Sequence, residues 1–170
     1  MEDVLLKIIG FFHIIFSILI AFYGILFKKS RFDYMYIFYT LFVLISWTIY
    51  NGECPLTYYV KKYYDKNYVS GKDPTDLKDT YLLFGDKQIV YIIVTGSIFA
   101  YMISEYIVLT RNNFSKYICY LLPITHFLYT MSVRTFKNLP ENNRFLILQE
   151  SFKIIFIILL ILFTREYLSK

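Results

Sequence analysis

The sequence predicts an all-α protein, a polytopic bundle of transmembrane helices, on the grounds of its composition and its patterning. Of its 170 residues, 57% are hydrophobic and 18% are charged, whereas an ordinary globular domain has about 25% charged residues. The mean hydropathy is +0.47. Apolar residues also occur in long runs separated by polar segments, which is the pattern of helices that face lipid. We therefore expect one integral membrane domain over residues 1–170.

Five apolar runs are long enough to cross a hydrocarbon core of about 30 Å. They cover residues 4–27, 34–50, 89–109, 117–133 and 147–163. The first run follows the acidic start Met1-Glu2-Asp3, whereas a signal peptide begins with basic residues, so we interpret it as a transmembrane helix. The fourth run contains His126 and should be kinked at Pro123. A four-span bundle without this run is the alternative.

The polar segment 51–87 is predicted to form two short surface helices outside the membrane. Asn51-Gly52 is a turn pair, and Pro55 suits the first position of a helix. The apolar face of this helix is largely aromatic: Leu56, Tyr59, Val60, Tyr63 and Tyr64. Its polar face is largely basic: Lys61, Lys62, Asp65 and Lys66. The apolar face is expected either to lie among lipid headgroups or to pack on the ends of the spans, and both interpretations stay open.

The second surface helix is predicted to begin at Asp73-Pro74, with Asp73 as its cap, and to end at Gly85. Trp47 and Tyr50 lie at the end of the second span and are predicted to anchor it at the membrane interface. Basic residues in the loop 28–31 and the acidic N-terminus favour an orientation with the N-terminus outside or lumenal, which places segment 51–87 on the same side.

The net charge of +5 suits contact with anionic lipid headgroups and is too small and scattered for a nucleic-acid partner. The third span contains small residues at every fourth position: Gly96, Ala100 and Ser104. Such a row lets another helix approach closely. The first functional hypothesis is therefore a structural or interaction protein without catalysis, whose partners are the lipid bilayer, other membrane proteins or a second copy bound through this row.

Three ionisable residues fall inside the predicted spans: His13, Glu105 and His126. Such groups are costly in lipid and face protein or a cavity. They indicate either a small transporter or proton- or ion-conducting protein, or three neutral groups that are hydrogen-bonded to nearby hydroxyls. The topology puts His13 in the outer half of the membrane, His126 near its middle and Glu105 in its inner half. We therefore predict that they do not form one joint site.

Glu53-Cys54 is the remaining candidate, since a cysteine at a helix N-terminus can have a lowered pKa. A membrane thiol enzyme at Cys54 is the third hypothesis, but Glu53 would oppose the thiolate and no histidine lies near in sequence, so a packing or helix-start role is preferred. Cys54 and Cys119 are expected on opposite faces of the membrane, where they cannot pair. No spacing in the sequence indicates a metal or cofactor site.

Residues 47–57 read W-T-I-Y-N-G-E-C-P-L-T. This stretch resembles small uncharacterised multi-pass membrane proteins of bacteria and large DNA viruses, in which a Trp at the end of a span precedes a C-x-L-T element and a helix. An early histidine accompanies that element, and His13 matches it. Those proteins have an acid two or three residues after the Thr, where this chain has Tyr59 and Val60. The resemblance implies a four- or five-helix membrane fold and no established activity. The chain is also rich in amino acids encoded by A/T-rich codons, which suits a large DNA virus.

Overall fold

The computed structural model describes residues 2–136 and 139–170, apart from the side chains of some helical residues: Glu2, Asp3, Leu5, Lys78, Asp79, Leu82 and Lys87. Regular structure over these residues is helical, so the all-α prediction is confirmed. The helices are α1 (Glu2–Ala21), α2 (Tyr23–Leu26), α3 (Phe32–Ile49), α4 (Pro55–Tyr64), α5 (Lys78–Phe84), α6 (Lys87–Arg111), α7 (Lys116–Thr135) and α8 (Asn143–Leu168). A short 3₁₀ turn, Leu139–Glu141, precedes α8.

Three helices are long and apolar enough to cross a membrane: Phe32–Ile49, Gln88–Arg111 and Asn143–Leu168. The structure thus supports three of the five expected spans by length and composition. The first expected span corresponds to α1 and α2, between which the chain turns at Phe22, and the described part of α1 is apolar over Leu6–Ala21. The fourth corresponds to α7, which runs continuously through Pro123 and carries buried Thr, Ser and His side chains that lower its hydropathy.

The long helices form one bundle in which α6 packs against α1, α2 and α7, while α8 packs against α3 and α7. Their facing sides supply a core of large aliphatic and aromatic side chains: Ile37, Leu41, Leu44, Leu109, Leu122, Tyr129, Phe145, Phe156 and Phe163. The helices run in alternating directions, which gives the bundle two different ends. The loop end carries residues 50–87, and the tail end carries the connection 112–115 and Lys170, whose Nζ donates to the Asn112 carbonyl.

The small-residue row on α6 is divided between the interior and the surface. Ser104 is fully buried, and its Oγ donates to the Ala21 carbonyl at 2.7 Å. A Cβ atom on Gly24 would lie 2.4 Å from the Ser104 carbonyl oxygen, so the absence of a side chain at Gly24 permits this close approach. Ala100 is also buried, whereas Gly96 is exposed. Ala100 and Ser104 therefore face the interior of this chain, and Gly96 is the exposed member of the row.

The tail end is held by a polar cluster around Asp33, which is buried at the start of α3. The Arg111 guanidinium donates to both carboxylate oxygens, at 2.7 Å to Oδ2 and 2.6 Å to Oδ1. Asn112 Nδ2 donates to Oδ2 at 2.6 Å, and the Tyr23 hydroxyl donates to Oδ1 at 3.0 Å. This Asp33 cluster joins α2, α3 and the end of α6.

At the loop end, α4 begins at Pro55 as predicted, but its buried face is Thr57, Val60 and Lys61 rather than the whole predicted apolar face. Lys61 was expected on the solvent side, yet it is only 4% exposed. Its Nζ lies 2.6 Å from Oε1 of the fully buried Glu53, which provides the charge that keeps Lys61 inside. Tyr59 and Tyr63 are 59% and 55% exposed. The aromatic face of α4 is thus open to the surroundings and is not packed on the ends of the spans.

The loop after α4 folds around the same Glu53 carboxylate. The Tyr68 hydroxyl donates to Glu53 Oε1 at 3.0 Å, and the Gly71 amide donates to Oε2 at 3.2 Å. The Asp73 carbonyl accepts a hydrogen bond from Lys61. This contact holds Asp73 in the loop, and α5 begins at Lys78 rather than at Asp73-Pro74. The predicted end at Gly85 is confirmed, with φ of +67°.

Candidate functional site

The start of α4 and the middle of α1 bring a cysteine and a histidine together. Cys54 Sγ lies 3.5 Å from His13 Nε2, although 41 residues separate them in the chain. No histidine is near Cys54 along the chain, but the fold brings His13 next to it. Cys54 is half-buried and is a free thiol, as is Cys119.

Local backbone signals explain how Cys54 reaches this position. Asn51 and Gly52 both have positive φ angles, +49° and +82°, and the Gly52 amide donates to the Trp47 carbonyl at 2.7 Å. This turn reverses the chain at the end of α3. Cys54 then has an extended conformation as the N-cap of α4, with Pro55 at the first helical position. The thiol is consequently held at a helix N-terminus, where amide groups have no partners within the helix.

The surroundings of Cys54 favour the thiolate. Burial raises the pKa of the thiol, but the hydrogen bond and charge of His13 and the amides of Thr57 and Leu56 outweigh it, so the pKa lies below its ordinary value. Glu53 was expected to oppose this shift. Its carboxylate instead turns away to Lys61, Tyr68 and Gly71, and its charge is compensated there.

A second pair lies deeper, between α6 and α7. His126 Nδ1 is 2.6 Å from Glu105 Oε1, and both side chains are buried. The prediction that these residues form no joint site is wrong for this pair, although their backbone positions differ in depth. Glu105 lies roughly 9 Å from the end of α6, and His126 roughly 15 Å from the start of α7, at 1.5 Å per residue. Side chains lean towards the N-terminus of their helix, so on antiparallel helices these two lean towards each other and close the offset.

The Glu105–His126 pair is surrounded by aromatic and hydroxyl side chains. The rings of Tyr101 and Trp47 have centroids 5.4 Å and 6.2 Å from the His126 ring. Trp47 was expected as an interface anchor, but its indole Nε1 is buried and points into the bundle. Tyr50 does lie at the loop end, where its hydroxyl is 3.2 Å from that of Tyr59.

Two buried polar atoms in this region lack a hydrogen-bond partner among the described residues: Trp47 Nε1 and Glu105 Oε2. Tyr36 stacks on Tyr23 at a centroid distance of 4.7 Å, and its hydroxyl lies within reach of the Thr40 and Ser104 hydroxyls. Buried polar atoms without a partner are rare in folded proteins, and each indicates strain, a catalytic role or a bound ion or water.

The Cys54–His13 pair and the Glu105–His126 pair thus involve different elements, α1 with the start of α4, and α6 with α7. Sequence reasoning missed Tyr36, Thr40 and Tyr101, because tyrosine occurs 18 times in the chain and carries no signal by itself. The i, i+4 spacing of Tyr101 with Glu105, and of Tyr36 with Thr40, was the available clue.

Comparison of the chain with protein-family models, with curated proteins and with solved structures finds no match. Within the part of the chain that the structure describes, no three His, Cys, Asp or Glu side chains are grouped as metal ligands.

Proposed function

We propose that this protein is a membrane thiol enzyme in which Cys54 is the nucleophile and His13 is its general base and acid. The observation that carries the proposal is the 3.5 Å contact between Cys54 Sγ and His13 Nε2 at the N-terminus of α4. A nucleophile within hydrogen-bond reach of a base is the arrangement that activates a thiol. The thiolate is also favoured by the amides of Leu56 and Thr57, as described above.

Acyl transfer is the reaction class that these residues support. The Cys54 thiolate attacks the carbonyl carbon of an ester or thioester, which forms a C–S bond. The bond to the leaving group then breaks, and the leaving group takes the proton that His13 has accepted from the thiol. The product is an acyl group on Cys54, which water or a second acceptor can remove. Disulfide chemistry is less well supported, because the second thiol, Cys119, is buried and donates to the Phe114 carbonyl at the tail end.

The substrate is proposed to be a membrane-dissolved long-chain acyl ester or thioester. Phe12 and Phe16, which lie on either side of His13 along α1, are 65% and 48% exposed. Tyr59, on the helix that Cys54 caps, is also exposed. In a bilayer these surfaces contact acyl chains, and the exposed aromatic face of α4 suits the headgroup region. The proposal includes a five-span topology, in which α1–α2 and α7 accompany the three longer helices across the membrane and the N-terminus lies outside.

A structural or interaction role without catalysis remains the competing hypothesis, and acyl-enzyme formation separates the two. The purified chain in lipid nanodiscs is incubated with a long-chain acyl-coenzyme A, and acylation is located by mass spectrometry. We expect one hydroxylamine-sensitive acyl group on Cys54, none in Cys54→Ala, and a rate at least about 10²-fold lower in His13→Gln.

Cys119→Ala provides the matched control and should acylate like the native chain. The enzyme proposal would be contradicted by equal acylation rates in the native chain and His13→Gln. It would also be contradicted if the denatured chain were acylated on Cys54 as fast as the folded chain, and either result would favour the structural role.

A further inference from the structure

We propose that Arg134 binds the phosphate group of an anionic phospholipid, at a lipid-facing site between the end of α7 and the first turns of α6. Arg134 is in the last turn of α7, and the site lies at the loop end of the bundle. The site shares no residue with the Cys54–His13 pair, so either proposal can fail without the other.

The guanidinium of Arg134 is fixed by two residues of α6. Its Nη1 donates to Thr95 Oγ1 at 2.9 Å, and its Cζ lies 5.1 Å from the ring centroid of Tyr91. The Thr95 hydroxyl in turn donates to the Tyr91 carbonyl at 2.7 Å, so its oxygen is available as an acceptor. The planar group is thus held in one orientation on α6, and these contacts use only one of its five N–H donors.

The charge of Arg134 has no carboxylate partner within the part of the chain that the structure describes. Arg111 provides the comparison, because it is also half-buried at the end of a helix. Its guanidinium donates to both carboxylate oxygens of Asp33. Arg134 instead contacts a neutral hydroxyl and an aromatic ring, and the dipole of α7 offsets only part of a full charge. A half-buried cation in this position therefore favours binding of an anion.

The position of the guanidinium on α6 determines which anion fits. Tyr91 and Thr95 lie roughly 6 and 12 Å along α6 from its start at Lys87, at 1.5 Å per residue. The headgroup layer on each side of a bilayer is about 5–8 Å thick, so the guanidinium lies where headgroups meet acyl chains. Ile92 and Phe99, on the same side of α6, are 69% and 50% exposed. The occupant must therefore combine a negative group with an apolar part.

An anionic phospholipid meets both requirements. Its phosphate is the anion that a bilayer itself supplies at this depth, and a guanidinium can donate two parallel hydrogen bonds to one phosphate. Its acyl chains cover the exposed Ile92 and Phe99 side chains. The net negative charge of the lipid compensates Arg134, whereas a zwitterionic lipid brings a second cation with its phosphate.

The test is native mass spectrometry of the full chain in a neutral detergent, titrated with phosphatidylglycerol. We expect one lipid per chain to bind in a saturable way, with a higher affinity than any further lipid. Diacylglycerol with the same acyl chains lacks the phosphate and should bind at least about tenfold more weakly. Inorganic phosphate lacks the acyl chains and should not displace the lipid.

Variants locate the phosphate. Arg134→Gln should weaken phosphatidylglycerol binding at least about tenfold, and Arg134→Lys, which keeps the charge without the planar fork, should weaken it less. Thr95→Val releases the guanidinium from α6 and should weaken binding about threefold. Arg144→Gln removes an exposed arginine at the start of α8, at the same end of the bundle. It is the matched control and should bind the lipid like the native chain.

The proposal would be overturned by equal phosphatidylglycerol affinities in the native chain and Arg134→Gln, or by equal losses in Arg134→Gln and Arg144→Gln. Displacement of the lipid by inorganic phosphate, or equally tight binding of diacylglycerol, would also contradict it. If Arg134→Gln does not fold, Thr95→Val decides. An affinity equal to that of the native chain contradicts the site, and a loss that the control does not share supports it.

Discussion

Two polar regions inside this bundle differ in how completely their groups are satisfied. In the Asp33 cluster at the tail end, each carboxylate oxygen accepts two hydrogen bonds, from Tyr23, Arg111 and Asn112. In the interior region, Glu105 accepts one hydrogen bond and leaves its second oxygen without a partner. A fully paired acid joins helices, whereas a half-paired one has a ligand or a reaction still to accommodate. The Asp33 cluster is therefore a fully paired contact between helices, whereas the Glu105–His126 pair keeps one acceptor without a partner.

The largest effect is expected from breaking the Asp33 cluster. Asp33→Ala leaves the Arg111 guanidinium in the bundle without its carboxylate, which should lower the free energy of unfolding by about 3–5 kcal/mol. Unfolding in mixed micelles with a titrated denaturing detergent measures the change. The double variant Asp33→Ala/Arg111→Met should recover part of the loss, because it removes the uncompensated charge. A loss of unfolding free energy below about 1 kcal/mol would show that the Asp33 cluster does not hold α2, α3 and α6 together.

A smaller loss is expected where α2 meets α6. Gly24→Ala places a Cβ atom 2.4 Å from the Ser104 carbonyl oxygen, so the helices must separate, at about 1–3 kcal/mol. Gly96→Ala is the matched control on the same small-residue row, since nothing lies within 4 Å of its Cβ position. Alanine should there be neutral or stabilise α6 by up to about 1 kcal/mol. Similar losses at both glycines would place the close contact elsewhere.

The smallest loss is expected at Glu105 itself. Glu105→Gln should change the free energy of unfolding by less than about 1 kcal/mol, because the amide oxygen can still accept a hydrogen bond from His126. Asp33→Asn, the same change in the fully paired acid, should lower the free energy of unfolding clearly more. Equal losses of this free energy in the two amide variants would contradict the difference between the two regions.

Local features of the fold could be predicted from the sequence. The turn at Asn51-Gly52, the helix start at Pro55 and the helix end at Gly85 follow from the conformational preferences of those residues. The long apolar runs likewise predicted α3, α6 and α8. These elements depend on residues that are adjacent in the chain, and for that reason the sequence alone identifies them.

The candidate site could be predicted only in part. His13, Cys54, Glu105 and His126 were identified as candidates, but their pairing depends on how α1, α4, α6 and α7 are placed in space. Lys61 was misplaced for a similar reason. Periodicity assigns a lysine to the solvent side, and it cannot show that a carboxylate eight residues earlier is buried and requires a cation. The inward turn of Trp47 also depends on His126, which lies on another helix.

The central claim is that His13 activates Cys54, and the pH dependence of thiol alkylation tests it most directly. The chain with Cys119→Ala is placed in nanodiscs, and the rate of reaction with iodoacetamide is followed from acidic to basic pH. Because the pKa of Cys54 is lowered, the thiolate forms at lower pH, and the midpoint should lie below that of an ordinary cysteine. His13→Gln should move the midpoint to higher pH and slow the reaction at neutral pH. A midpoint at or above the ordinary value, unchanged by His13→Gln, would contradict the account.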